Sequence, residues 1–302
     1  MLAENWQVWT SAAELLVDSS READLAAASA AVRGVLAETN AAINTFEPTS
    51  ELATINAAGG GTYMLSATLA QVLAQAITAY ERTGGAFDPR VQALGGTAGQ
   101  ALTFQLVTGE DGSLSVASTE PASLHEQVQL TGRQLTLAEG VQLNLIGIGK
   151  AWAVDRGADA AAQACGAPVL LNIGGDIATA GPTRPWTVTV QDLENDPAST
   201  IELINGGAIA TSSTQKRRWA RDGQGWHHII NPATGLSATP DLATASVIAG
   251  SATEANTYST AAIVWGSGAH QKLAPTGLPT RLVTVTGTEL THHWPATPTP
   301  QP

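Results

Sequence analysis

Val141-Gln-Leu-Asn-Leu145 runs directly into Ile146-Gly-Ile-Gly-Lys-Ala-Trp152, an apolar stretch followed by spaced glycines and an alanine-rich segment. Strand, glycine turn and helix in that order also open a doubly wound dinucleotide-binding fold. The fingerprint of that fold needs a third glycine where the helix packs on the sheet, and Trp152 stands there instead. A P-loop needs Ser or Thr after its lysine, and Ala151 follows Lys150. What remains is a glycine turn at Gly147–Lys150 feeding a helix over Lys150–Cys165. Free amides, a helix dipole and an ammonium converge there, which suits a phosphate group. The plainer reading is a tight turn beside a solvated lysine.

Outward from this segment the chain mixes strands and helices without strict alternation. Upstream, Leu102–Val107, Val128–Leu130, Gln134–Leu137 and Val141–Leu145 read as strands between Gly, Ser and Asp turns. Further upstream, Trp6–Val17 reads as one opening strand and Asp24–Ile43 as a helix capped by Asp18, Ser19 or Ser20. Thr45–Asn56 reads as a polar connection and Ala57–Thr62, with three glycines, as a loop. Ser66–Arg82 reads as a helix with a Leu69, Leu73, Ala76, Ile77, Tyr80 stripe, closed by Gly84-Gly85. Downstream, Val169–Ile173, Trp186–Val190 and Ala208–Thr211 read as core strands. Val247–Ala249 leads into a helix over Thr253–Val264, and Thr280–Thr286 reads as a last strand. The pattern predicts an α+β fold; the length allows two domains or one large one, taken as one over 1–294, and the Pro/Thr-rich tail over 295–302 is expected to be disordered.

The chain has 302 residues, 43% of them hydrophobic and 13% charged, which excludes wholesale disorder. A net charge of −12 argues against nucleic acid as a partner, because phosphate backbones need a basic face. Cys165 is the only cysteine, so no intrachain disulfide, zinc ribbon or iron–sulfur cluster is available, and it reads as a small buried hydrophobe. The N-terminus shows no basic and apolar leader, and no run reaches the ~18 apolar residues of a spanning helix. A cytoplasmic protein without a membrane span is the expectation.

Five short segments carry residue types that do chemistry. Gly84-Gly-Ala-Phe-Asp-Pro-Arg90 is a flexible turn ending in a carboxylate. Leu170–Ile177 is a buried strand that breaks at Gly174-Gly175-Asp176, where backbone can approach a ligand closely. Ala210-Thr-Ser-Ser213 precedes Trp226-His-His-Ile-Ile-Asn-Pro-Ala-Thr-Gly235. Its adjacent histidines, placed in a strand, would point to opposite faces, so only one can serve a given site. Glu254-Ala-Asn-Thr-Tyr-Ser-Thr260 puts Asn256 and Thr260 four apart on one helix face, where their oxygens suit a hard cation. Each segment alone also reads as an ordinary turn, cap or core residue.

Taken in order, these segments resemble the ApbE-type FAD:protein FMN transferases. The resemblance runs from Thr45-Phe-Glu-Pro-Thr-Ser-Glu-Leu-Ala-Thr-Ile-Asn56 through Gly84–Pro89, Leu145–Asp155, Asn172–Asp176, Thr211-Ser212 and His228–Gly235 to Ala255–Thr260. It implies a mixed α/β fold with a central FAD-binding cleft. It implies transfer of FMN from FAD to a Ser or Thr hydroxyl of an acceptor flavoprotein, with Mg2+ assisting and AMP leaving. By the same resemblance, Phe46 and the Ser50-Glu51-Leu52 turn contact the flavin side, and Gly85, Ala86, Phe87 and Asp88 line the cleft. Gly147, Lys150, Asp155, Gly174, Gly175 and Asp176 approach the cofactor, and Thr211 and Ser212 bind phosphates. His228 is the implied base, or the residue that places the acceptor hydroxyl. The carbonyl near Gly149, with Asn256 and Thr260, matches the magnesium site.

The chain departs from the family pattern in several places. Asn256 stands where an aspartate ligand is usual, Asn144 where an aspartate precedes the glycine segment, and Asn231 where aspartate is common. Ile146 replaces a glycine, Ala151 replaces the glycine after the lysine, and Arg90 replaces a threonine. The loss of a carboxylate at Asn256 keeps a second reading open, an FAD-binding reservoir or sensor with impaired catalysis. A third is an FAD pyrophosphatase using water in the same cleft.

Overall fold

The structure is a computed structural model and describes residues 1–90, 105–108, 114–117, 123–192, 196–204, 206–221, 224–239 and 241–295. The elements in chain order are β1 (Leu2–Val8), β2 (Ser11–Val17), α1 (Glu22–Ile43), α2 (Glu51–Ala58), β3 (Gly61–Met64) and α3 (Ala67–Thr83). Next come β4 (Gln105–Thr108), β5 (Leu114–Ala117), α4 (Leu124–Gln127), β6 (Val128–Thr131), β7 (Gln134–Leu137) and α5 (Ile146–Cys165). Then β8 (Val169–Ile173), β9 (Asp176–Ala180), β10 (Trp186–Val190), β11 (Ser199–Leu203), β12 (Ala208–Ser213), β13 (Arg218–Arg221) and β14 (Gln224–His227) follow. The chain closes with β15 (Leu242–Ala249), α6 (Ala252–Trp265), α7 (Ala269–Leu273), β16 (Thr280–Thr284) and β17 (Glu289–His292). The chain divides into two compact units, one of Met1–Glu38, Ile148–Ser213 and Pro240–Pro302, the other of Thr39–Gly147 and Thr214–Thr239.

The first unit is built on an antiparallel sheet in the order β1-β2-β8-β9-β12-β15-β16-β17. Alternation along each strand divides its side chains between two faces. Leu15, Val17, Leu171 and Ile173 pack under Ala28, Val32 and Leu36 of α1 and Ala151, Val154 and Ala158 of α5. Leu170, Ile177 and Ile209 pack on the opposite side against Trp186, Val188, Ile201 and Leu203 of the β10–β11 hairpin. Gly157 is what brings α5 down to the sheet, since a Cβ there would sit 2.7 Å from a Leu171 methyl. Strand, helix and hairpin layers around an antiparallel sheet make the mixed α/β fold expected from the unalternating pattern.

The second unit contains α2, α3 and the three-stranded sheet β3-β7-β6. Ser66 caps α3 by accepting from Leu69 N at 3.1 Å, and Gly84 ends it in the left-handed conformation at φ 58°. Leu69, Val72, Leu73 and Ala76 form its buried stripe.

Several expectations need correction. Trp6–Val17 is not one strand but part of the β1–β2 hairpin, turned by Trp9 and Thr10 at positive φ of 49° and 62°. No Gly or Asn marks that turn, so sequence chemistry hides it. The end of Thr45–Asn56 is helix α2, which Ser50 caps and which runs on to Ala58, while β3 starts at Gly61, so the loop expected over Ala57–Thr62 shrinks to Gly59-Gly60. Val141–Leu145 is not a strand: Asn56 takes the place of a neighbouring strand, donating to Leu143 O at 2.8 Å and accepting from Leu143 N at 2.9 Å. The helix expected from Lys150 begins at Ile146, so Gly147–Lys150 is its first turn and not a loop. The final strand ends at Thr284 and is followed by β17. Residues 102–104 of one expected strand and residues 296–302 of the expected tail lie outside the described residues.

Candidate functional site

In the first unit, Lys150 projects from the first turns of α5 to the end of β8. Its ammonium donates to the carbonyls of Ile173 at 2.9 Å and Gly174 at 3.3 Å, and stands 2.7 Å from Asp176 Oδ2. Two carbonyls and a carboxylate therefore engage the ammonium, so Lys150 is not the solvated lysine of the plainer reading. The Asp176 contact is an ion pair rather than an aligned hydrogen bond, and the carboxylate is buried with 2% of its side chain exposed. The Gly174-Gly175 turn needs left-handed backbone, φ 59° and 91°. A Cβ at Gly174 would also lie 2.8 Å from Ser11 Oγ. Asn172 Oδ1 closes the turn by accepting from Gly175 N at 3.1 Å.

Further along α5, Asp155 reaches the N-terminus of α6. Its Oδ1 accepts from Ala252 N at 2.6 Å, and its Oδ2 accepts from Thr253 N at 2.9 Å and Thr253 Oγ1 at 2.6 Å. Burial pushes the Asp155 carboxyl above the usual carboxylate range, against the opposite pull of hydrogen bonds from Thr253 and Ala252. Ser251 adds the local cap, accepting from Glu254 N at 3.1 Å. Helix α6 is thus capped twice, once by its own chain and once by α5.

The same helix carries Asn256 and Thr260 toward β12. Ser212 Oγ hydrogen-bonds with Ser259 Oγ at 2.9 Å and Thr260 Oγ1 at 3.2 Å. Asn256 is 8% exposed, and its Oδ1 is buried with no hydrogen-bond partner. Thr211 hydrogen-bonds with Ser246 Oγ at 2.8 Å, across the β12–β15 pairing. Thr211 and Ser212 are consecutive in a strand and take opposite faces of the sheet. Only Ser212 shares a face with the Asn256–Thr260 turn. Oxygen donors, one of them orphaned, fit a hard cation in kind, although none carries charge.

In the second unit, Phe46 stands 82% exposed on the turn before α2. Ser50 donates to Asn44 O at 2.7 Å, Glu51 Oε1 accepts from Ser66 N at 2.7 Å, and Leu52 is buried in the core. Gly85 (φ 82°) leads into buried Ala86 and Phe87, and the Phe87 ring lies 3.6 Å from where a Cβ on Gly147 would stand. The two glycine blocks of the sequence therefore meet. Asn144 joins them again: its N–H donates to Pro89 O at 2.7 Å, and its Oδ1 accepts from Ile146 N at 3.0 Å. Asp88 is held by Arg90, whose Nε and Nη2 donate to it at 3.0 and 2.6 Å, while Nη1 donates to Gln127 Oε1 at 2.7 Å.

The expectation that both histidines lie in one strand is corrected: only His227 belongs to β14, and His228 sits in the bend beyond it. His227 is buried. Its Nε2 donates to Ala238 O at 2.8 Å, which leaves Nδ1 to accept from Ile229 N at 3.3 Å. Burial lowers the His227 pKa and so favours the neutral imidazole that these two bonds require. His228 is half-buried, with its Nδ1 inside.

A model of the ApbE family matches residues 7–281. The chain belongs to the ApbE family. An FAD:protein FMN transferase of Klebsiella pneumoniae (strain 342) is 28% identical over 256 residues, covering 81% of this chain and 73% of the relative. A second match under the same name and organism is 30% identical over 137 residues, covering 45% of this chain and 42% of the relative. The crystal structure of the ApbE protein of Thermotoga maritima superposes with a TM-score of 0.80 at 24% identity, over 97% of both chains, and shows the shared fold.

Within this ApbE chain the first unit gathers Lys150, Gly174, Gly175 and Asp176 at one turn. It gathers Ser212, Asn256 and Thr260 at another. The second unit gathers Ala86, Phe87 and Gly147. Sequence reading missed that Asp155 holds α6 and that Glu51 holds the start of α3, because both bonds join residues far apart in the chain. Cys165, expected as a buried hydrophobe, is only half-buried at the end of α5. No helix among the described residues is long and apolar enough to cross a membrane.

Proposed function

We propose that the chain is an FAD:protein FMN transferase acting on a Ser or Thr hydroxyl of an acceptor flavoprotein. The family match over residues 7–281 carries this reading. The acceptor hydroxyl attacks the phosphorus of the FMN half of FAD. A new P–O bond forms, the diphosphate P–O bond breaks, and AMP leaves with the electron pair. The hydroxyl proton passes to the imidazole of His228, histidine being the side chain most often used as a general base. Asn256 Oδ1, Thr260 Oγ1 and the Gly149 carbonyl would hold Mg2+, which when bound offsets the diphosphate charge. Gly174, Gly175 and Gly147 would let backbone come close to the nucleotide, with Lys150 holding the Gly174 carbonyl and Asn172 the Gly175 N–H.

The test is FAD, Mg2+ and an acceptor protein, with AMP release and covalent flavin on the acceptor as readouts. His228→Ala should bind FAD yet lose transfer. Folded protein that binds no FAD would sink the reading. The uncharged donor set at Asn256 favours one competing reading, an FAD reservoir or sensor. That predicts binding without AMP. A pyrophosphatase would instead release AMP and free FMN with no acceptor present.

A further inference from the structure

We infer that this chain takes its divalent cation as the diphosphate complex of the nucleotide, and not as a resident ion of the free protein. The inference rests on FAD being the substrate. It starts from Asn256 Oδ1, an amide oxygen sealed from water with nothing donating to it. Such an atom is costly unless a donor or a cation meets it. Around it the α6–β12 contact is a patch of hydroxyls: Ser212, Ser259 and Thr260, with Ser259 donating to Asn256 O at 3.2 Å. Every one of these groups is neutral.

The carboxylates that could have supplied charge are turned to other tasks. Asp155 gives both oxygens to the first residues of α6. Asp176 is paired with Lys150. Glu254 lies two residues before Asn256, a spacing that places it on another side of the helix. Among the described residues no group of three His, Cys, Asp or Glu could hold a metal ion. A divalent ion entering this patch alone would give up water and receive only dipoles. Calcium and magnesium sites weaken as ligand charge is removed. A diphosphate brings the missing charge with it. Cation and nucleotide then strengthen each other's binding by one and the same factor.

Mn2+ serves as the probe, its free ion followed by electron paramagnetic resonance. It is titrated into the full chain alone, with ADP and with FAD, against blanks of nucleotide without protein. Saturable Mn2+ binding about tenfold or more tighter with nucleotide than without is expected. Asn256→Asp should raise Mn2+ affinity of the nucleotide-free protein by about tenfold and shrink the nucleotide effect. Equal Mn2+ affinity of the wild-type chain with and without nucleotide would overturn the inference, and needs no variant to fold. Flavin fluorescence separates the remaining outcomes. FAD binding indifferent to Mn2+ overturns the coupling and leaves FAD as the ligand. No FAD binding by folded protein, even with Mn2+, overturns the substrate reading and the coupling with it.

Discussion

The Lys150 ammonium lies 2.7 Å from Asp176 Oδ2 while donating to the carbonyls of Ile173 and Gly174. One side chain of α5 thus engages both sides of the β8–β9 turn, Ile173 and Gly174 before Gly175 and Asp176 after it. Lys150→Met would leave Asp176 charged, buried and unpaired, at a cost of about 3–5 kcal/mol. Lys150→Met with Asp176→Asn should recover much of that loss, because the orphaned charge goes too. Urea unfolding of the two singles and the double gives the coupling. Additive effects would show that the pair does not interact.

Thr211 and Ser212 separate two roles that their adjacency in sequence conceals. Ser212→Ala removes the hydroxyl beside Thr260, on the face of α6 that carries Asn256. It should weaken FAD binding several-fold, by fluorescence titration. Thr211→Val acts on the other face, where Ser246 loses its partner. It should cost about 1 kcal/mol of stability and leave FAD affinity within about twofold. Equal losses of FAD affinity would contradict the division.

Asp155 is the second cap of α6. Asp155→Ala strips acceptors from Ala252 N, Thr253 N and Thr253 Oγ1. A lost cap together with newly unsatisfied N–H groups should cost about 2–3 kcal/mol. Amide exchange should quicken at Ala252 and Thr253 before the rest of the helix. Unchanged protection there would argue that water replaces the carboxylate without loss.

His227 makes stability depend on pH. Protonation places a hydrogen on Nδ1, where Ile229 N already donates, and burial disfavours the charge. The native pKa lies below the ordinary value of about 6.5. The unfolded chain therefore takes up the proton first as pH falls. The contribution is complete above about pH 6.5 and is lost as pH drops toward the native pKa. Melting temperatures of wild type and His227→Gln between pH 8 and pH 5, taken as a working range of about three units, should diverge. Wild type should fall the more steeply, and parallel slopes would show that His227 is not the titrating group.

Short-range chemistry was legible in the sequence and long-range chemistry was not. Ser66 and Gly84 bracket α3 as read, and Val169–Ile173 and Trp186–Val190 are strands at the expected limits. Apolar runs between turn residues announce such elements. The order of weak motifs also pointed to the family that the match over residues 7–281 establishes. The β1–β2 turn stayed hidden because Trp9 and Thr10 are residues that rarely take positive φ. Val141–Leu145 has the composition of a strand but finds Asn56 instead of one. The partners of Lys150 and Asp155 lie 23 and 98 residues away, and no local pattern carries that information.

The register of β2 against β8 sets Ala13 opposite Ile173 and Val17 opposite Val169. During synthesis the opening hairpin leaves the ribosome long before its neighbour exists. For that interval β2 is an unpaired edge rich in Leu and Val, the kind of template that invites pairing with another chain. Closing so long a loop slows folding, since its entropy is lost before any contact rewards it. The nascent protein is therefore most exposed to aggregation while residues 18–168 are being made.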